Sequence, residues 1–313
     1  MTGQVEAPIA QSALLFPGQG LPAEDIFNYY GAINDVSDGA VKRYLKEVEE
    51  ISNIPLVSIL ENKDGSPLQS TAFMQPVVYA LSMAAFGLVR QRDEIAQQTR
   101  FVAGHSLGEY AAITAAGVIS FEDGMKIVTK RGELMEKACQ MRPSRHISIL
   151  GLDKTQVETV CEQTGTRINL LNAPTNIVIG CSAERVEEIT EIIKPRGARR
   201  VATLGTAGAF HDPNFMSEAA EGLGEFLRDF EFKDPQYDVV ANITGRPSRS
   251  GRSLKAHAVE SMVNPVQWAD SIQFMNREGV IFYEIGPGNF MRALNRQNDV
   301  PSEKTKDISS LLV

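Results

Sequence analysis

RFVAGHSLGEYAAITAAG, residues Arg100–Gly117, reads as a short buried strand, a tight turn and a helix of small residues. The turn Gly104–Gly108 has the pattern G-x-S-x-G, which in a strand–turn–helix setting is typical of a nucleophile elbow. Its glycines allow a strained backbone from which the hydroxyl of Ser106 projects. The N–H of Leu107, at the start of the helix, can then face a developing oxyanion. An ordinary glycine-rich turn is the alternative interpretation.

Apolar runs and helical patterns alternate on both sides of this turn. Ser12–Phe16 is predicted to be a strand that ends in the turn Pro17–Gly20, and Gln75–Val89 is apolar nearly all round, as a buried helix is. From about Pro143 the pattern becomes β-α-β-β-α-β over about sixty residues, the order of a ferredoxin-like subdomain.

These patterns predict an α/β fold in two parts. A large α/β-hydrolase-like domain with a parallel sheet comprises residues 1–142 and 206–313, and an inserted ferredoxin-like (βαββαβ) subdomain comprises residues 143–205. The length of 313 residues suits one large domain that carries a smaller one.

The composition is that of a globular protein with an acidic balance. Of the residues 43% are apolar and 22% charged, and the net charge is −8. Because nucleic-acid binders need Lys and Arg to neutralise phosphates, this balance argues against that class. Cys139, Cys161 and Cys181 form no CxxC pattern and predict neither a disulfide framework nor a zinc site. No leader pattern and no run of about 18 apolar residues is found, so we expect a cytoplasmic protein without a membrane partner.

A serine nucleophile needs a base, and the chain has four histidines. His105 adjoins the serine, where its ring either points away or lines the pocket. His257 falls in a polar helix, and His146 begins a strand of the subdomain. His211 follows the glycine-rich loop Gly205–Phe210 between the two predicted domains, where a cleft is expected, and is the best candidate. A lone loop histidine is more often solvated or capping than catalytic, so spacing alone leaves the assignment open.

Seven short motifs follow one another along nearly the whole chain. They are FPGQG (16–20), QP (75–76), GHSLGEYAA (104–112), KRGELM (130–135), GAFH (208–211), NPVQW (264–268) and EIGPG (284–288). In this set and order the chain resembles the malonyl-CoA:acyl carrier protein transacylases and the related acyltransferases of polyketide synthases. Chance does not assemble seven such motifs, so the resemblance is specific.

The resemblance implies a ping-pong acyl transfer in fatty-acid or polyketide biosynthesis. Ser106 would attack the thioester of an acyl-CoA while His211 takes its proton, and the phosphopantetheine thiol of an acyl carrier protein would then attack the acyl-serine ester. The N–H groups of Leu107 and Gln19 would hold the oxyanion. The main-chain carbonyl of Gln267 would orient His211 in place of a carboxylate. No bound cofactor or metal is expected.

The resemblance also implies the substrate contacts. Arg131 falls at the family position whose guanidinium binds the free carboxylate of malonyl, a bidentate role that suits arginine. A solvated helix cation paired with Glu133 or Glu136 is the alternative. Phe210 fills a position that accompanies malonyl rather than methyl-branched groups. His146 stands where members commonly have a methionine that lines the acyl pocket, and a polar ring there points to an unusual acyl group.

Two further features bear on the base and on the partner. Asp212, where the family commonly has serine, is expected to cap the next helix and, as an anion, to raise the pKa of His211. The carrier partner is acidic in this family, so a chain of net charge −8 needs a local basic surface to bind it. The densest candidates are Lys194, Arg196, Arg199 and Arg200. A solvated face is the alternative.

Three other functions fit part of the pattern. A proofreading acyl hydrolase of the same fold would admit water to the same acyl-serine, but it gains nothing from a carboxylate clamp at Arg131. A non-catalytic docking scaffold is disfavoured by the presence together of Gln19, Ser106, Arg131 and His211. An ordinary α/β-hydrolase would carry its histidine near the end of the chain, whereas about a hundred residues follow His211.

Overall fold

The computed structural model describes residues 11–307, apart from the side chains at positions 93, 94 and 96. The predictions made for residues 1–10 and 308–313 lie outside the described residues. Within them the strands are β1 (Ser12–Phe16), β2 (Thr99–Gly104), β3 (Ser144–Leu150), β4 (Arg167–Ala173), β5 (Asn176–Ser182), β6 (Arg200–Thr203), β7 (Asp238–Ala241), β8 (Arg246–Ser248), β9 (Ile281–Glu284) and β10 (Thr305–Asp307).

The helices of the described residues cover both sheets. The α-helices are α1 (Ala23–Val36), α2 (Ala40–Ser52), α3 (Leu56–Asn62), α4 (Thr71–Arg90), α5 (Asp93–Gln98), α6 (Gly108–Ala115), α7 (Phe121–Met141), α8 (Lys154–Thr164), α9 (Val186–Ile193), α10 (Pro213–Phe226), α11 (Gly251–Glu260), α12 (Trp268–Arg277) and α13 (Phe290–Gln297). Short 3-10 helices lie at Pro67–Gln69, Ala183–Arg185, Lys194–Arg196, Leu227–Asp229 and Ser302–Lys304.

The larger sheet has six strands in the order β10-β9-β1-β2-β7-β8. Every neighbouring pair is parallel except β7 and β8, which are antiparallel. In this register Phe16 lies beside Gly104, and Leu15 beside Glu284. The carboxyl ends of β1, β2, β7 and β9 therefore meet at one edge of the sheet, which is where ligands bind in open α/β sheets.

Both faces of the larger sheet are buried. Along β1, Ala13 and Leu15 belong to one apolar cluster while Leu14 and Phe16 belong to another. This alternation places core on each side of the strand, as a parallel sheet covered by helices requires. On one face of the larger sheet, α4 and α7 pack against each other.

Helix α4 is long and apolar enough to cross a membrane by length and composition alone. Most of its residues are buried inside the protein, including Val77, Val78, Ala80 and Leu81. Its apolar surface is therefore that of a core helix, as the sequence pattern predicts. It begins at a serine cap, Ser70, whose hydroxyl accepts a hydrogen bond from the N–H of Ala72.

The smaller sheet is wholly antiparallel, in the order β4-β5-β3-β6. With α8 after β3 and α9 after β5, this is the strand order and connectivity of a ferredoxin-like fold. The predicted fold class, a parallel α/β sheet with a separate antiparallel subdomain, is confirmed. The division into folding units at residues 143–205 stays a prediction.

The polar composition of Thr244–Ser253 predicts a loop, but part of this segment is a strand. The segment contains β8, which pairs with β7 at the edge of the larger sheet. Arg246 and Pro247 are exposed on this strand. An edge strand of three residues with exposed side chains carries no apolar alternation, so its sequence resembles that of a loop.

The three cysteines are free thiols. Cys139 and Cys181 are buried, and burial raises their pKa values to about 12 and about 11. Burial also raises the pKa of Cys161, which is half-buried.

Candidate active site

Ser106 lies on a strained turn between β2 and α6. Its φ of +51° falls in the left-handed region, which side chains other than glycine disfavour. A Cβ on Gly104 would overlap the backbone of Gly108 and Glu109, and a Cβ on Gly108 would overlap the carbonyl of Phe16. The close approach of three backbone segments therefore requires both glycines of the predicted elbow.

The side chain of Asn242 holds this turn from the neighbouring strand. Its Oδ1 accepts a hydrogen bond from the N–H of Ser106 at 2.7 Å, and its Nδ2 donates to the carbonyl of Gly104 at 2.6 Å. Asn242 is not among the predicted site residues. The sequence pattern predicts a strand over Asp238–Ile243, which would include Asn242, whereas β7 ends at Ala241. A polar residue directly after a buried strand, at the edge that carries the elbow, was the available signal.

His211 meets the serine across the cleft. Its Nε2 lies 2.8 Å from Ser106 Oγ, and its Nδ1 lies 2.5 Å from the carbonyl oxygen of Ser261. A carbonyl only accepts, so Nδ1 carries the proton and Nε2 presents its lone pair to the hydroxyl. His211 also has a left-handed backbone, with φ of +64°. The structure thus brings together the predicted nucleophile and base.

The expectation that Gln267 orients His211 is wrong. The orienting carbonyl belongs to Ser261, the residue that follows α11, where the last carbonyls of a helix have no partner within it. Gln267 precedes α12, and its carbonyl accepts from the N–H and hydroxyl of Ser271 in the first turn of that helix. Its N–H instead donates to the carbonyl of Asn242 at 2.7 Å.

The imidazole of His211 is kept neutral. Burial, followed by the positive charge of Arg131, holds its pKa well below the ordinary value. The expectation that Asp212 raises this pKa is wrong, because the net shift is downward and Asp212 is not among its causes. The Asp212 carboxylate is turned into α10, where it accepts from the N–H of Asn214 as the predicted cap. Its own pKa is raised by burial.

Arg131 reaches the serine from α7 and is only 1% exposed. Its Nη1 donates to Gln75 Oε1 at 2.6 Å, and its Nη2 donates to Ser106 Oγ at 3.2 Å. The guanidinium also lies 5.4 Å from the ring centre of Tyr110. The alternative of a solvated cation paired with Glu133 or Glu136 is excluded by this burial.

The carboxyl group of Glu109 is buried beside Asn242. Glu109 is 4% exposed, its Oε1 accepts from the N–H of Asn242 at 2.8 Å, and its Oε2 is buried with no hydrogen-bond partner. Burial raises the pKa of this carboxyl to about 7, against the opposing effect of hydrogen bonds and of Arg131. Hydrogen bonds thus connect the elbow to Asn242, and Asn242 to Glu109.

Gln19 and Leu107 lie on the two turns that end β1 and β2. Gln19 Oε1 accepts from the hydroxyl of Thr71 at 2.7 Å, and this hydroxyl in turn accepts from Gln75. Leu107 precedes the first residue of α6. Gln19 also lines a small cleft of about 30 Å³ whose opposite lip includes Gly205 and Thr206. Thr71 also lines this cleft, and its hydrogen bonds connect Gln19 to Gln75, the residue that accepts from Arg131.

His105 points away from the serine hydroxyl. Its ring is 5% exposed, and its Nε2 lies 2.8 Å from Asn172 Oδ1 of β4. The ring packs edge-to-face on Trp268 and Phe290, and burial lowers its pKa to about 4. The substrate contact predicted for His105 is therefore wrong: the residue joins the elbow to the small sheet because its neighbour Ser106 takes the exposed side of the turn.

Phe210 lies in the loop that precedes His211, and its ring packs against the ring of His146 in β3. The Phe210 ring is 3% exposed and meets the His146 ring edge-to-face, with centres 5.8 Å apart. Both ring nitrogens of His146 face protein atoms, and the ring is 1% exposed. The expectation that His146 lines the acyl pocket directly is wrong, because its two ring nitrogens face Thr206 and the carbonyl of Phe210 in the loop. The effect of Phe210 on branched acyl groups stays a prediction.

The predicted basic patch lies on the small subdomain. Lys194 forms an exposed ion pair with Glu191, and Arg196 donates to Gln163 and to the carbonyl of Ile192. Arg199 and Arg200 are exposed at the start of β6, an edge strand. Within residues 11–307 no cluster of His, Cys, Asp and Glu has a metal-binding arrangement.

Comparison with known proteins shows the family of this chain. The family model of the acyl transferase domain matches residues 26–307. The chain belongs to the acyl transferase family. Its relatives include the malonyl CoA-acyl carrier protein transacylase of Bacillus subtilis, 33% identical over 91% of this chain and 90% of that protein. The polyketide biosynthesis protein ThaF of Burkholderia thailandensis is 35% identical over 94% of this chain, which spans only 25% of ThaF.

Solved structures of this family have the same fold. The acyl-carrier-protein-S-malonyltransferase of Bartonella henselae superposes with a TM-score of 0.83 at 28% identity, over 96% of this chain and 95% of that one. A malonyl-transacylase solved in complex with a type II polyketide synthase acyl carrier protein gives a TM-score of 0.81 at 27% identity, over 95% of both chains. The family resemblance read from the seven motifs is confirmed.

Proposed function

We propose that this acyltransferase moves a malonyl group from CoA to the phosphopantetheine thiol of an acyl carrier protein, through an ester on Ser106. The observation that carries the proposal is the convergence on one hydroxyl of a neutral base, His211 Nε2 at 2.8 Å, and a buried cation, Arg131 Nη2 at 3.2 Å. The base activates the serine, and the cation selects an acyl group that ends in a carboxylate.

In the first half-reaction Ser106 Oγ attacks the thioester carbonyl of malonyl-CoA while its proton moves to His211 Nε2. The N–H groups of Leu107 and Gln19 receive the negative charge that develops on the carbonyl oxygen. The carbon–sulfur bond then breaks, and His211 returns the proton to the departing CoA thiolate. The Ser261 carbonyl stabilises the imidazolium through Nδ1–H, which is the role that a carboxylate has in a Ser-His-Asp triad.

The second half-reaction reverses the first with a different thiol. The phosphopantetheine thiol of the carrier gives its proton to His211 as its sulfur attacks the malonyl ester. The carbon–oxygen bond to Ser106 breaks, and the hydroxyl recovers the proton. The two substrates supply the reacting bonds, and the side chains and backbone groups named above move the proton and stabilise the charges. The predicted cytoplasmic location stays part of the proposal.

Arg131 is suited to bind the malonyl carboxylate because the folded protein already holds its guanidinium away from water. Its guanidinium is held by Gln75 and by Ser106 Oγ. Its Nε is buried without a hydrogen-bond partner, so a carboxylate brought near it would satisfy an unmet donor. Desolvation strengthens the resulting ion pair.

The carrier protein binds, in this proposal, on the small subdomain at Lys194, Arg196, Arg199 and Arg200. From Arg200 the chain extends through β6 to Gly205 at the lip of the cleft, a distance of roughly 17 Å at the rise of an extended strand. An acidic partner bound at the patch could thus direct its flexible arm into the cleft. Complementary charge chiefly raises the rate of association, so the effect should weaken with salt.

Labelled malonyl-CoA tests the proposal. Incubation should leave one malonyl group on the wild-type protein and none on Ser106→Ala, as seen by intact mass, and added carrier should collect the label as malonyl-carrier. Arg131→Ala should reduce loading of malonyl far more than of acetyl. Release of the label mainly as free malonate in the presence of carrier would instead identify the proofreading hydrolase, and failure to load any acyl-CoA would refute the proposal.

A further inference from the structure

The start of helix α4 lies directly against α7, the helix that carries Arg131. A Cβ built on Gly132 would lie 2.8 Å from the carbonyl oxygen of Thr71, so this glycine permits the close approach. One turn further along α7, Glu136 Oε2 accepts hydrogen bonds from the N–H of Thr71 and from the hydroxyl of Ser70, both at 3.0 Å. The backbone of Thr71 is therefore fixed relative to Arg131 by contacts that do not involve its side chain.

The hydroxyl of Thr71 lies in the middle of a continuous chain of hydrogen bonds. It donates to Gln19 Oε1 at 2.7 Å and accepts from Gln75 Nε2 at 2.6 Å. Gln75 Oε1 accepts from Arg131 Nη1 at 2.6 Å, and Arg131 Nη2 donates to Ser106 Oγ at 3.2 Å. The chain thus joins the turn that contains Gln19 to the buried cation and to the nucleophile.

The Thr71 hydroxyl determines which way the buried amide of Gln75 faces. The Arg131 guanidinium only donates, so it needs the Oε1 side of this amide. Among the described residues, Nε2 then has two acceptors, the Thr71 hydroxyl and, at 3.2 Å, the thioether of Met135. Because a thioether is a weak acceptor, loss of the hydroxyl would leave a buried donor nearly unpaired and the amide free to turn.

The same hydroxyl holds the oxyanion turn. Gln19 is partly exposed, whereas Thr71 is only 3% exposed and belongs to the core helix α4. The hydrogen bond between them therefore ties the side chain of Gln19 to a rigid element. In the proposed mechanism the N–H of Gln19 points at the developing oxyanion, and displacement of such a donor slows the reaction.

We propose that Thr71 is a positioning residue that aligns two parts of the active site at once, the carboxylate-binding Arg131 and the oxyanion turn at Gln19. This inference rests on the proposed malonyl transfer, and it connects recognition of the acyl carboxylate to reaction at the thioester carbonyl. Thr71 acts through its two hydrogen-bond partners. Loss of its hydroxyl should therefore have one effect on rate, through Gln19, and a separate effect on malonyl binding, through Arg131.

Single-turnover acylation of Thr71→Val by malonyl-CoA and by acetyl-CoA tests the inference. Valine has nearly the volume of threonine and lacks both hydrogen bonds of the hydroxyl. The maximal rate should fall about three-fold with both acyl-CoAs, because the oxyanion turn is loosened. The half-saturating concentration should rise about three-fold with malonyl-CoA alone, because only malonyl carries a carboxylate for Arg131. Thr71→Ser keeps the hydroxyl and should restore both values.

Gln19→Met removes only the hydrogen bond at the outer end of the chain. It changes a partly exposed side chain and keeps the backbone N–H, so it keeps the test available if Thr71→Val does not fold. The maximal rate should fall about three-fold with both acyl-CoAs, with no change in half-saturation. The double variant should be no slower than Thr71→Val alone, because both substitutions remove the same hydrogen bond.

The matched control is Thr164→Val, which removes a buried hydroxyl that bonds to the carbonyl of Val160 and to Thr166 in the small subdomain. It should leave both kinetic values unchanged at a similar loss of melting temperature.

Three results would overturn the inference while normal malonyl loading by the wild type left the proposed function intact. They are unchanged kinetics in folded Thr71→Val or in Gln19→Met, a rise in half-saturation with both acyl-CoAs, and losses that multiply in the double variant. Failure of the wild type to load malonyl would refute the proposed function itself.

Discussion

The elbow that carries Ser106 and the loop that carries His211 hold two strained residues by different means. Both residues have a positive φ, +51° for Ser106 and +64° for His211. The elbow is held by backbone packed on backbone, at Gly104 and Gly108, and by the Asn242 amide. The loop is held by side chains of a separate sheet. One half of the active site is thus fixed by close packing, and the other by hydrogen bonds that a substitution can loosen.

The largest expected effect is a difference in stability between two glycine substitutions, one in the elbow at Gly104 and one in the loop at Gly208. Gly104→Ala would place a Cβ inside the backbone of Gly108 and Glu109, which cannot move without breaking the elbow. We expect a loss of stability of about 4 kcal/mol or more, with little folded protein. Gly208→Ala, in the loop, would place its Cβ 2.5 Å from Cys139 Sγ, a side-chain atom that can shift. This variant should fold with a loss of about 1–3 kcal/mol.

Thermal and chemical unfolding of the two glycine variants would measure the difference. Similar losses in both would show that the loop is packed as rigidly as the elbow. A folded, active Gly104→Ala would show that the elbow can relax, and the comparison would fail.

An intermediate effect is expected at Asn242. Asn242→Ala removes one acceptor for the N–H of Ser106 and one donor to the carbonyl of Gly104. Breaking these buried hydrogen bonds should lower the free energy of unfolding by about 1–3 kcal/mol. The displacement of the Ser106 hydroxyl should lower kcat by about 100-fold. Asn242→Asp keeps the acceptor and loses the donor, so it should fall between alanine and wild type. Single-turnover acylation rates with unchanged KM would confirm positioning; a rise of KM alone would contradict it.

The smallest expected effect is a difference in pH dependence between the two regions. Glu109, behind the elbow, has a pKa raised by burial from its ordinary 4.5 to about 7. The folded state therefore keeps its proton where the unfolded state has lost it, and this contribution to stability declines as pH rises through about 7. His146, behind the loop, has a pKa lowered by burial from 6.5 to about 4, so its contribution declines as pH falls through that range.

Unfolding free energies across pH 4–8 would separate these contributions. Glu109→Gln should remove a decline in stability on the order of 3 kcal/mol as pH rises from about 4.5 to about 7. His146→Gln should remove a rise in stability over nearly the same range, from about pH 4 to 6.5, so the two variants should change the slope in opposite directions. Identical pH profiles for both variants would show that neither group titrates as its surroundings suggest.

The two regions also differ in how far the sequence predicts them. The elbow is local: a strand, two glycines and a serine within a few residues predict its geometry, and the structure places Ser106 as expected. His211 also lies where it was expected, but the group that orients it was assigned to the wrong residue, because this group is a backbone carbonyl. Any residue type can supply a carbonyl, so nothing at Ser261 distinguishes it from the nearby Gln267.

The supports of both regions were harder to predict than the reacting groups. Asn242 acts from a neighbouring strand 136 residues from Ser106, and its role depends on the strand order of the sheet. His146 was expected to contact the acyl group because the resemblance places it where members commonly have a pocket-lining methionine, whereas in this structure its ring faces Thr206 and Phe210 of the loop. In both cases the missing information is the packing of segments that are distant along the chain.

The three free thiols have a consequence for a protein whose reaction is an exchange between thioesters. With pKa values raised by burial, Cys139 and Cys181 hold almost no thiolate at neutral pH, and Cys161 is shifted in the same direction. They are poor rivals of the carrier for an activated acyl group, so little of it should be diverted to self-acylation away from Ser106. The same inertness would let a chromogenic disulfide reagent record liberated CoA continuously against a low background from the protein.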